Sequence, residues 1–278
     1  MNNTILKGIQ KTQILKIATT KVTQIEDSLA VESPLEIRLT VAGAHPPIRN
    51  KSISITMCTP GDTVDLVYGF LFTEGIISNA NQVIGTEETE NGITVYLNMK
   101  KPIDLDVLYR NSFTNSSCGV CGKSNLKFLD IKRTVPQKKV NWQIDSEDIK
   151  RFPALVRAQQ STFESTGGLH AAGLFNLPGN LIGLREDVGR HNAVDKLIGA
   201  YFQLDQLPLQ EHILFLSGRA SFELIQKAAM AGISMVVAVG APSSLAVETA
   251  VACDITLVGF LKEKGFNVYY GEKRLRMS

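Results

Sequence analysis

The sequence predicts an α/β protein whose C-terminal part contains a buried, largely parallel sheet. Three continuous apolar runs, at residues 212–216, 234–239 and 255–258, are separated by stretches with helical character. Apolar strands joined by crossover helices are typical of a sheet that is covered on both faces. The first half of the chain alternates apolar and polar residues instead, which predicts a smaller, strand-rich α+β domain before the α/β domain.

The elements of the first half follow from local patterns. Residues 35–41 and 53–57 alternate apolar and polar side chains, as half-buried strands do. A helix is predicted from Thr63 to about Gly75, because capping residues precede an apolar face with helical spacing and a glycine follows it. Residues 93–97 form a further predicted strand after an Asn-Gly turn signal.

The chain is predicted to divide into two domains, at residues 1–135 and 136–278. Residues 130–144 are polar and basic, which indicates a charged connector. A helix is predicted over residues 145–160, although Pro153 interrupts its amphipathic pattern.

Composition indicates an ordinary globular protein. The 278 residues are 44% hydrophobic and 20% charged, and a net charge of +2 gives no reason to expect nucleic-acid or membrane binding. No run of about 18 apolar residues predicts a transmembrane helix. The N-terminus lacks the apolar core and cleavage site of a signal peptide, so we expect a cytoplasmic protein.

Two of the four cysteines form a CxxC pair, Cys118 and Cys121, in the stretch NSSCGVCGKS at residues 115–124. Cys58 and Cys253 end apolar segments and are predicted to be buried packing residues. A structural zinc ion normally needs four ligands, and the chain has neither a second CxxC nor two histidines at ligand spacing. Zinc at this pair would therefore need ligands from elsewhere, for example from a second subunit.

Redox chemistry and sulfur carriage are the other two interpretations of the pair. A thioredoxin-like CxxC opens a helix near the start of a chain, whereas this pair lies in mid-chain with Gly119 and Gly122 after the cysteines. Glycines favour a mobile loop, which suits a cysteine that carries a persulfide (R–S–SH) between two places. Lys123 would favour the thiolate form. Spacing alone does not separate the persulfide from redox chemistry.

Three polar loops follow the predicted strands of the α/β part, at residues 183–192, 217–219 and 240–244. In such sheets, ligands bind beyond the carboxyl ends of the strands, and each loop leads into a helix N-terminus that favours anions. Arg190 and Arg219 add guanidinium groups that suit phosphate oxygens. The loops therefore predict a site for a nucleotide-sized or pyrophosphate-bearing ligand. Neither GxGxxG nor a P-loop is present, which disfavours the standard dinucleotide and P-loop folds.

Two histidines are candidates for this site. His191 lies in a polar stretch and is predicted to be exposed and functional. His170 follows paired glycines, and it is either functional or a buried histidine at a strand start that the backbone satisfies.

Several stretches together resemble one family. They are SSCGVCGK (116–123), TGGLHAAGL (166–174), REDVGRHNAVDKLIG (185–199), LFLSGRASFELIQKAAMAGI (214–233) and APSSLAVETA (241–250). Over most of residues 35–270 the chain resembles the formate dehydrogenase accessory sulfurtransferase family, FdhD.

The resemblance implies a function and a set of site residues. Such proteins accept sulfur from a cysteine desulfurase as a persulfide and pass it to the molybdenum or tungsten bis-pterin guanine dinucleotide cofactor, before that cofactor enters the catalytic subunit of formate dehydrogenase. By this resemblance Cys118 bears the persulfide, Cys121 is its partner, and no metal ion of the protein's own is expected. The implied cofactor-binding residues are Phe260, Leu261, Lys262, Glu263, Lys264 and Gly265, to which we add Arg190, His191 and Arg219. Lys262 stands where the family leads us to expect arginine, which disfavours bidentate phosphate binding there.

The resemblance also implies a homodimer and a three-layer C-terminal domain similar to cytidine deaminases. Zinc deaminases use an H-x-E motif, but His170 is followed by two alanines, so deamination is not expected. A non-catalytic chaperone that binds the cofactor, with zinc held at the CxxC, is the alternative function.

Overall fold

The structure is a computed structural model that describes residues 8–42, 47–99 and 141–277. The strands in these ranges are β1 (Ile9–Ala18), β2 (Lys21–Ala30), β3 (Ser33–Ala42), β4 (Ile48–Cys58), β5 (Val83–Thr89), β6 (Gly92–Asn98), β7 (Ile144–Asp145), β8 (His170–Phe175), β9 (Leu181–Asp187), β10 (Ile213–Leu216), β11 (Met235–Ala238), β12 (Thr256–Lys262), β13 (Gly265–Tyr270) and β14 (Leu275–Arg276). The α-helices are α1 (Thr63–Thr73), α2 (Ser146–Lys150), α3 (Phe152–Arg157), α4 (Ser161–Thr166), α5 (Arg190–Gln203), α6 (Phe222–Met230) and α7 (Ser244–Ala252).

The first half contains a four-stranded sheet with the order β4-β3-β6-β5. Strand β3 pairs antiparallel with β4 and parallel with β6. Alternate residues of β3, including Ile37 and Leu39, are buried, because a strand with one face toward the core buries every second side chain. The three strands and the helix predicted for this half are confirmed.

The second half contains a six-stranded sheet with the order β13-β12-β11-β10-β8-β9. In this sheet only the pairs β10–β11 and β11–β12 are parallel, and the other pairs are antiparallel. The prediction of a largely parallel sheet is therefore wrong. Short turns connect β8 to β9 and β12 to β13, and a short turn joins strands only in antiparallel order. Apolar runs reveal burial, but not strand direction.

The helix predicted over residues 145–160 is in fact two short helices, α2 and α3. Pro153 lies in the first turn of α3, where its missing N–H is not needed for helical hydrogen bonding. Proline thus marks the start of a new helix here rather than a flaw within a long one.

The two sheets share one hydrophobic core, and α1 and α5 cross within it. The crossing is close because Gly69 of α1 faces the backbone of Asp195, and Gly199 of α5 faces the backbone of Asp65. The predicted domain boundary after residue 135 falls outside the described residues, and the two-domain division stays a prediction.

A hairpin formed by β1 and β2 precedes the first sheet and was not foreseen from the sequence. Its tip is exposed, including the apolar side chains of Leu15, Ile17 and Val22. Within residues 8–42, 47–99 and 141–277, no helix has the length and hydropathy needed to cross a membrane.

Candidate functional site

The polar loops predicted from the sequence meet at one edge of the second sheet. Strands β9, β10, β11 and β12 all end there, since β9 and β10 both run antiparallel to β8, and β10 to β12 are parallel. Strand β8 begins at the same edge, and its first residue, His170, is paired with Asp187 at the end of β9. Helices α5, α6 and α7 therefore start together. We call this region, formed by His170 and residues 189–191, 217–223, 240–243 and 260–265, the carboxyl edge.

Backbone hydrogen bonds join the loops of the carboxyl edge. The Gly240 N–H donates to the Gly218 carbonyl at 2.9 Å, and the Phe260 N–H donates to the Gly240 carbonyl at 3.2 Å. A Cβ atom on Gly240 would lie 2.9 Å from the backbone nitrogen of Arg219, closer than real contacts allow. Glycine is therefore required at this position, and the expected convergence of the loops is confirmed.

All of the sequence-predicted cofactor-binding residues lie at this edge. Arg190 and His191 open α5, Arg219 is exposed in the loop after β10, and Phe260, Leu261, Lys262, Glu263, Lys264 and Gly265 form the end of β12 and its turn into β13. Leu261 is buried, so its side chain serves packing, whereas residues 262–264 are exposed. Cys118 and Cys121 lie outside the described residues.

Phe260 has an unusual backbone conformation. Its φ of 55° lies in the left-handed region, which is costly for a bulky side chain, and its ring is exposed. Strained residues of this kind cluster at functional sites, where the surrounding structure holds them in place.

The three helix N-termini at the carboxyl edge are not equivalent. In α7, the Ser243 hydroxyl accepts a hydrogen bond from the Ala246 N–H at 3.2 Å. In α6, the carboxylate of Glu223 lies in the first turn and accepts from its own backbone N–H. Both termini thus already have an acceptor from the protein, and the expectation that all three would be open to a ligand is wrong for α6 and α7.

Helix α5 differs because it begins with glycine and has no acidic residue in its first turn. Its first helical hydrogen bond runs from the Ala193 N–H to the Gly189 carbonyl, so the N–H groups of residues 190–192 precede the helical ladder. Next to them, the Nε of Arg190 is buried without a hydrogen-bond partner. A buried, unpaired cationic donor is costly, which makes this terminus the strongest candidate in the described structure for binding an anion.

His191 connects the starts of α5 and α6. Its Nε2 lies 3.4 Å from the Ser221 Oγ and 3.9 Å from Glu223 Oε2. The interaction with the His191 side chain is the main cause that lowers the pKa of the Glu223 carboxyl to about 2. This carboxylate is therefore ionised at any physiological pH.

His170 lies half-buried at the start of β8, against Gly218. Burial lowers the pKa of its imidazole, and the charge of Arg190 lowers it further. A neutral imidazole at this edge is able to accept or donate one hydrogen bond without adding charge to the site.

The polar residues that follow Arg190 and His191 have a role that sequence reasoning missed. Asn192 donates to the Met57 carbonyl at 2.9 Å, and Lys196 donates to the Thr59 carbonyl at 2.9 Å and pairs with Asp187 at 2.8 Å. These buried contacts attach the end of β4 to α5. Because Met57 lies 135 residues from Asn192 and Thr59 lies 137 residues from Lys196 in sequence, no local pattern reveals these contacts.

The cysteines of the described region are not candidates for catalysis. Cys58 and Cys253 are buried, as predicted. Burial raises the pKa of the Cys58 thiol to about 11, so it is protonated and unreactive at neutral pH. Among the residues that the structure describes, no cluster of His, Cys, Asp or Glu is suited to a metal ion.

These features define a mixed α/β protein with several sheets and a candidate anion-binding edge at the start of α5. The sequence profile of the FdhD/NarQ family matches residues 30–276. The chain belongs to this family.

Relatives and solved structures agree with this membership. Proteins named "Sulfur carrier protein FdhD" are 44% identical in Nocardia farcinica (90% of this chain and 89% of that protein), 42% in Streptomyces avermitilis (96% of both) and 36% in Saccharolobus solfataricus (96% and 98%). The crystal structure of a candidate formate dehydrogenase accessory protein from Desulfotalea psychrophila has a TM-score of 0.73 at 23% identity, covering 96% of this chain and 98% of that one. That structure supports the mixed α/β fold, and the similarity to cytidine deaminases stays a prediction.

Proposed function

We propose that this protein is a sulfurtransferase that carries sulfur as a persulfide on Cys118 and delivers it to the molybdenum or tungsten bis-pterin guanine dinucleotide cofactor required by formate dehydrogenase. The observation that carries the proposal is the unpaired Arg190 donor at the open N-terminus of α5. A pyrophosphate-bearing substrate matches this combination of cation and free N–H groups. The names of the relatives support the sulfur-carrying part.

The proposed sulfur transfer uses the thiols of both Cys118 and Cys121. The Cys118 thiolate attacks the outer sulfur of the donor's persulfide and becomes Cys118–S–SH, while the donor's cysteine leaves as a thiolate. The Cys121 thiol then attacks the inner sulfur, which forms a Cys118–Cys121 disulfide and releases the outer sulfur as sulfide for the metal of the substrate. The two cysteines supply the two electrons, so each cycle ends with a disulfide that a cellular thiol must reduce.

The carboxyl edge would hold the substrate. Arg190 and the first N–H groups of α5 would bind one phosphate, and Arg219, Lys262 and Lys264 are exposed cations for further phosphate oxygens. The exposed ring of Phe260 offers a surface on which an aromatic base can stack. His191 would contact the bound nucleotide between these groups. The proposed partners are a cysteine desulfurase, the formate dehydrogenase catalytic subunit and a second copy of this chain.

The carrier role is tested by intact-mass spectrometry after incubation with a cysteine desulfurase and cysteine. We expect the wild-type protein to gain the mass of one sulfur atom and to lose it on treatment with dithiothreitol. Cys118→Ala is expected to gain none, whereas Cys121→Ala still takes up sulfur and releases it slowly.

Cys253→Ala is the matched control, because that cysteine is buried and should not affect loading. Sulfur uptake by Cys118→Ala equal to that of the wild type would contradict the proposal. Stoichiometric zinc in the purified protein, lost on mutation of either cysteine of the pair, would support the chaperone alternative instead.

The phosphate site is tested by titrating the protein with guanosine diphosphate in a calorimeter. Arg190→Gln is expected to weaken binding by about 10- to 100-fold, since a charge-assisted hydrogen bond is lost. Arg151→Gln removes an equal charge from an exposed surface pair with Asp148 and is expected to bind like the wild type. Equal affinities of Arg190→Gln and the wild type would remove Arg190 from the site.

A further inference from the structure

The hairpin of β1 and β2 projects from the rest of the protein. Its base is attached, because the Val31 N–H donates to the Gly8 carbonyl at 2.9 Å. In the part of the chain that the structure describes, its two strands pair only with each other. Ten strand residues extend about 34 Å, and every residue from Leu15 to Val22 is exposed. The tip is therefore accessible to a partner outside the chain.

The two faces of the hairpin tip differ in chemical character. Ile17 is paired with Val22 across the strands, and Leu15 lies two residues before Ile17, so these side chains share one face. Leu15, Ile17 and Val22 are 68%, 76% and 61% exposed. Lys16 and Lys21 lie at the alternating positions of the two strands and project from the opposite face. The tip is thus a ribbon with one apolar face and one cationic face.

The positive charge of the tip is not compensated. No aspartate or glutamate lies between residues 9 and 25. Nearer the base, Lys11 pairs with Glu26 at 3.6 Å, whereas Lys16 and Lys21 have no carboxylate partner among the described residues. The net charge of +2 is therefore distributed unevenly, and the hairpin has a local cationic end that the total charge does not reveal.

We propose that the tip of this hairpin docks the protein on an anionic membrane surface. Apolar side chains next to lysines suit the boundary of a bilayer, where the apolar groups enter the acyl region and the ammonium groups stay beside anionic headgroups. This docking is independent of the proposed sulfur transfer, and the hairpin precedes nearly all of residues 30–276, which the family profile matches.

The size of the apolar patch favours a membrane over a protein partner. Stable protein interfaces bury about 800 Å² on each side and involve about 20 residues or more. The three apolar side chains of the tip are far fewer than this. A bilayer requires no matching surface, because binding increases with the apolar area inserted and with the number of lysines near the headgroups.

Co-sedimentation with vesicles of phosphatidylcholine, with and without phosphatidylglycerol, tests the proposal. We expect the wild-type protein to bind the mixed vesicles more tightly, and added salt to weaken this binding. Leu15→Ser combined with Ile17→Ser is expected to weaken it by at least about tenfold, since two inserted side chains are lost. Lys16→Gln combined with Lys21→Gln is expected to weaken it by about 10- to 30-fold.

Matched variants outside the hairpin serve as controls. Leu204→Ser removes an apolar side chain that is 66% exposed after α5. Lys150→Gln combined with Lys273→Gln removes the same charge from ion pairs elsewhere on the surface. Both controls should bind mixed vesicles like the wild type. Circular dichroism checks that every variant is folded.

Fluorescence reports whether the tip enters the bilayer. The natural chain has a single tryptophan, Trp142, which gives a constant background. The emission of Ile17→Trp is expected to shift to shorter wavelength when mixed vesicles are added, and that of Leu204→Trp is expected to stay unchanged.

Three results would overturn the proposal. The first is a wild-type protein that binds neither kind of vesicle. The second is undiminished binding after Leu15→Ser with Ile17→Ser, which would indicate adsorption of any polyanion by charge alone. The third is a wild-type dimer in sedimentation equilibrium that these two substitutions dissociate, without vesicle binding, which would assign the tip to a second copy of the chain.

Discussion

Replacing Gly199 with valine is expected to destabilise the protein by about 3 kcal/mol or more. A Cβ atom at this position would lie 1.9 Å from the Asp65 carbonyl oxygen and 2.6 Å from the Gly69 nitrogen. Both are backbone atoms of α1, so no side-chain rotation relieves the clash and the two helices must separate. Separation would open the core that the two sheets share.

Urea denaturation, monitored by circular dichroism, measures this loss of stability. Gly85→Ala is the control, because the nearest atom to its added Cβ, Tyr96 Cδ2, is 3.9 Å away. That variant is expected to stay close to the wild-type midpoint. A Gly199→Val protein with the wild-type midpoint would show that α1 and α5 do not cross as described.

The second expected result is that Lys227→Met loses about 3–5 kcal/mol in its free energy of unfolding, because the substitution leaves buried carboxylates without their counter-charge. Lys227 Nζ lies 2.9 Å from Asp195 Oδ2 and donates to Thr73 Oγ1 at 2.9 Å. Burial alone would lower the pKa of Lys227, but the carboxylates of Asp195 and Glu74 outweigh it and raise the pKa. The ammonium is therefore charged in the folded protein and joins α1, α5 and α6.

The free energies of unfolding of two further variants test whether the loss comes from the buried carboxylates that Lys227 neutralises. Lys227→Met combined with Asp195→Asn removes one of the uncompensated charges, so the double variant should be more stable than Lys227→Met alone. Lys273→Met breaks the exposed pair with Asp254 and should have little effect. If Lys227→Met were as destabilising as Lys273→Met, the buried network would not contribute as described.

Gly199→Val and Lys227→Met should affect the candidate site as well as stability, because both disturb the packing of α5. Helix α5 opens at the carboxyl edge with Arg190, and its buried side is held by α1 and by the end of β4. The first sheet therefore helps to position the start of α5, the candidate anion-binding terminus.

The secondary structure of the first sheet was predictable because its causes are local. Alternation at residues 35–41 and 53–57 and the glycine stop at Gly75 depend on neighbours in sequence. The convergence of the three loops at the carboxyl edge was also predictable, since strands followed by crossover helices bring their carboxyl ends together.

The remaining features of the fold and the site depend on contacts between residues that are far apart in sequence. Sheet direction depended on which strands are joined by short turns, and apolar runs carry no information on this. The three helix starts look alike in sequence, but only the structure shows that Ser243 and Glu223 occupy two of them and that α5 stays open. Likewise, Asn192 and Lys196 resemble ligand-binding residues in the sequence, and only the structure shows that they bind the carbonyl groups of Met57 and Thr59 at the end of β4. Burying such polar groups is favourable only when folding brings their partners to them.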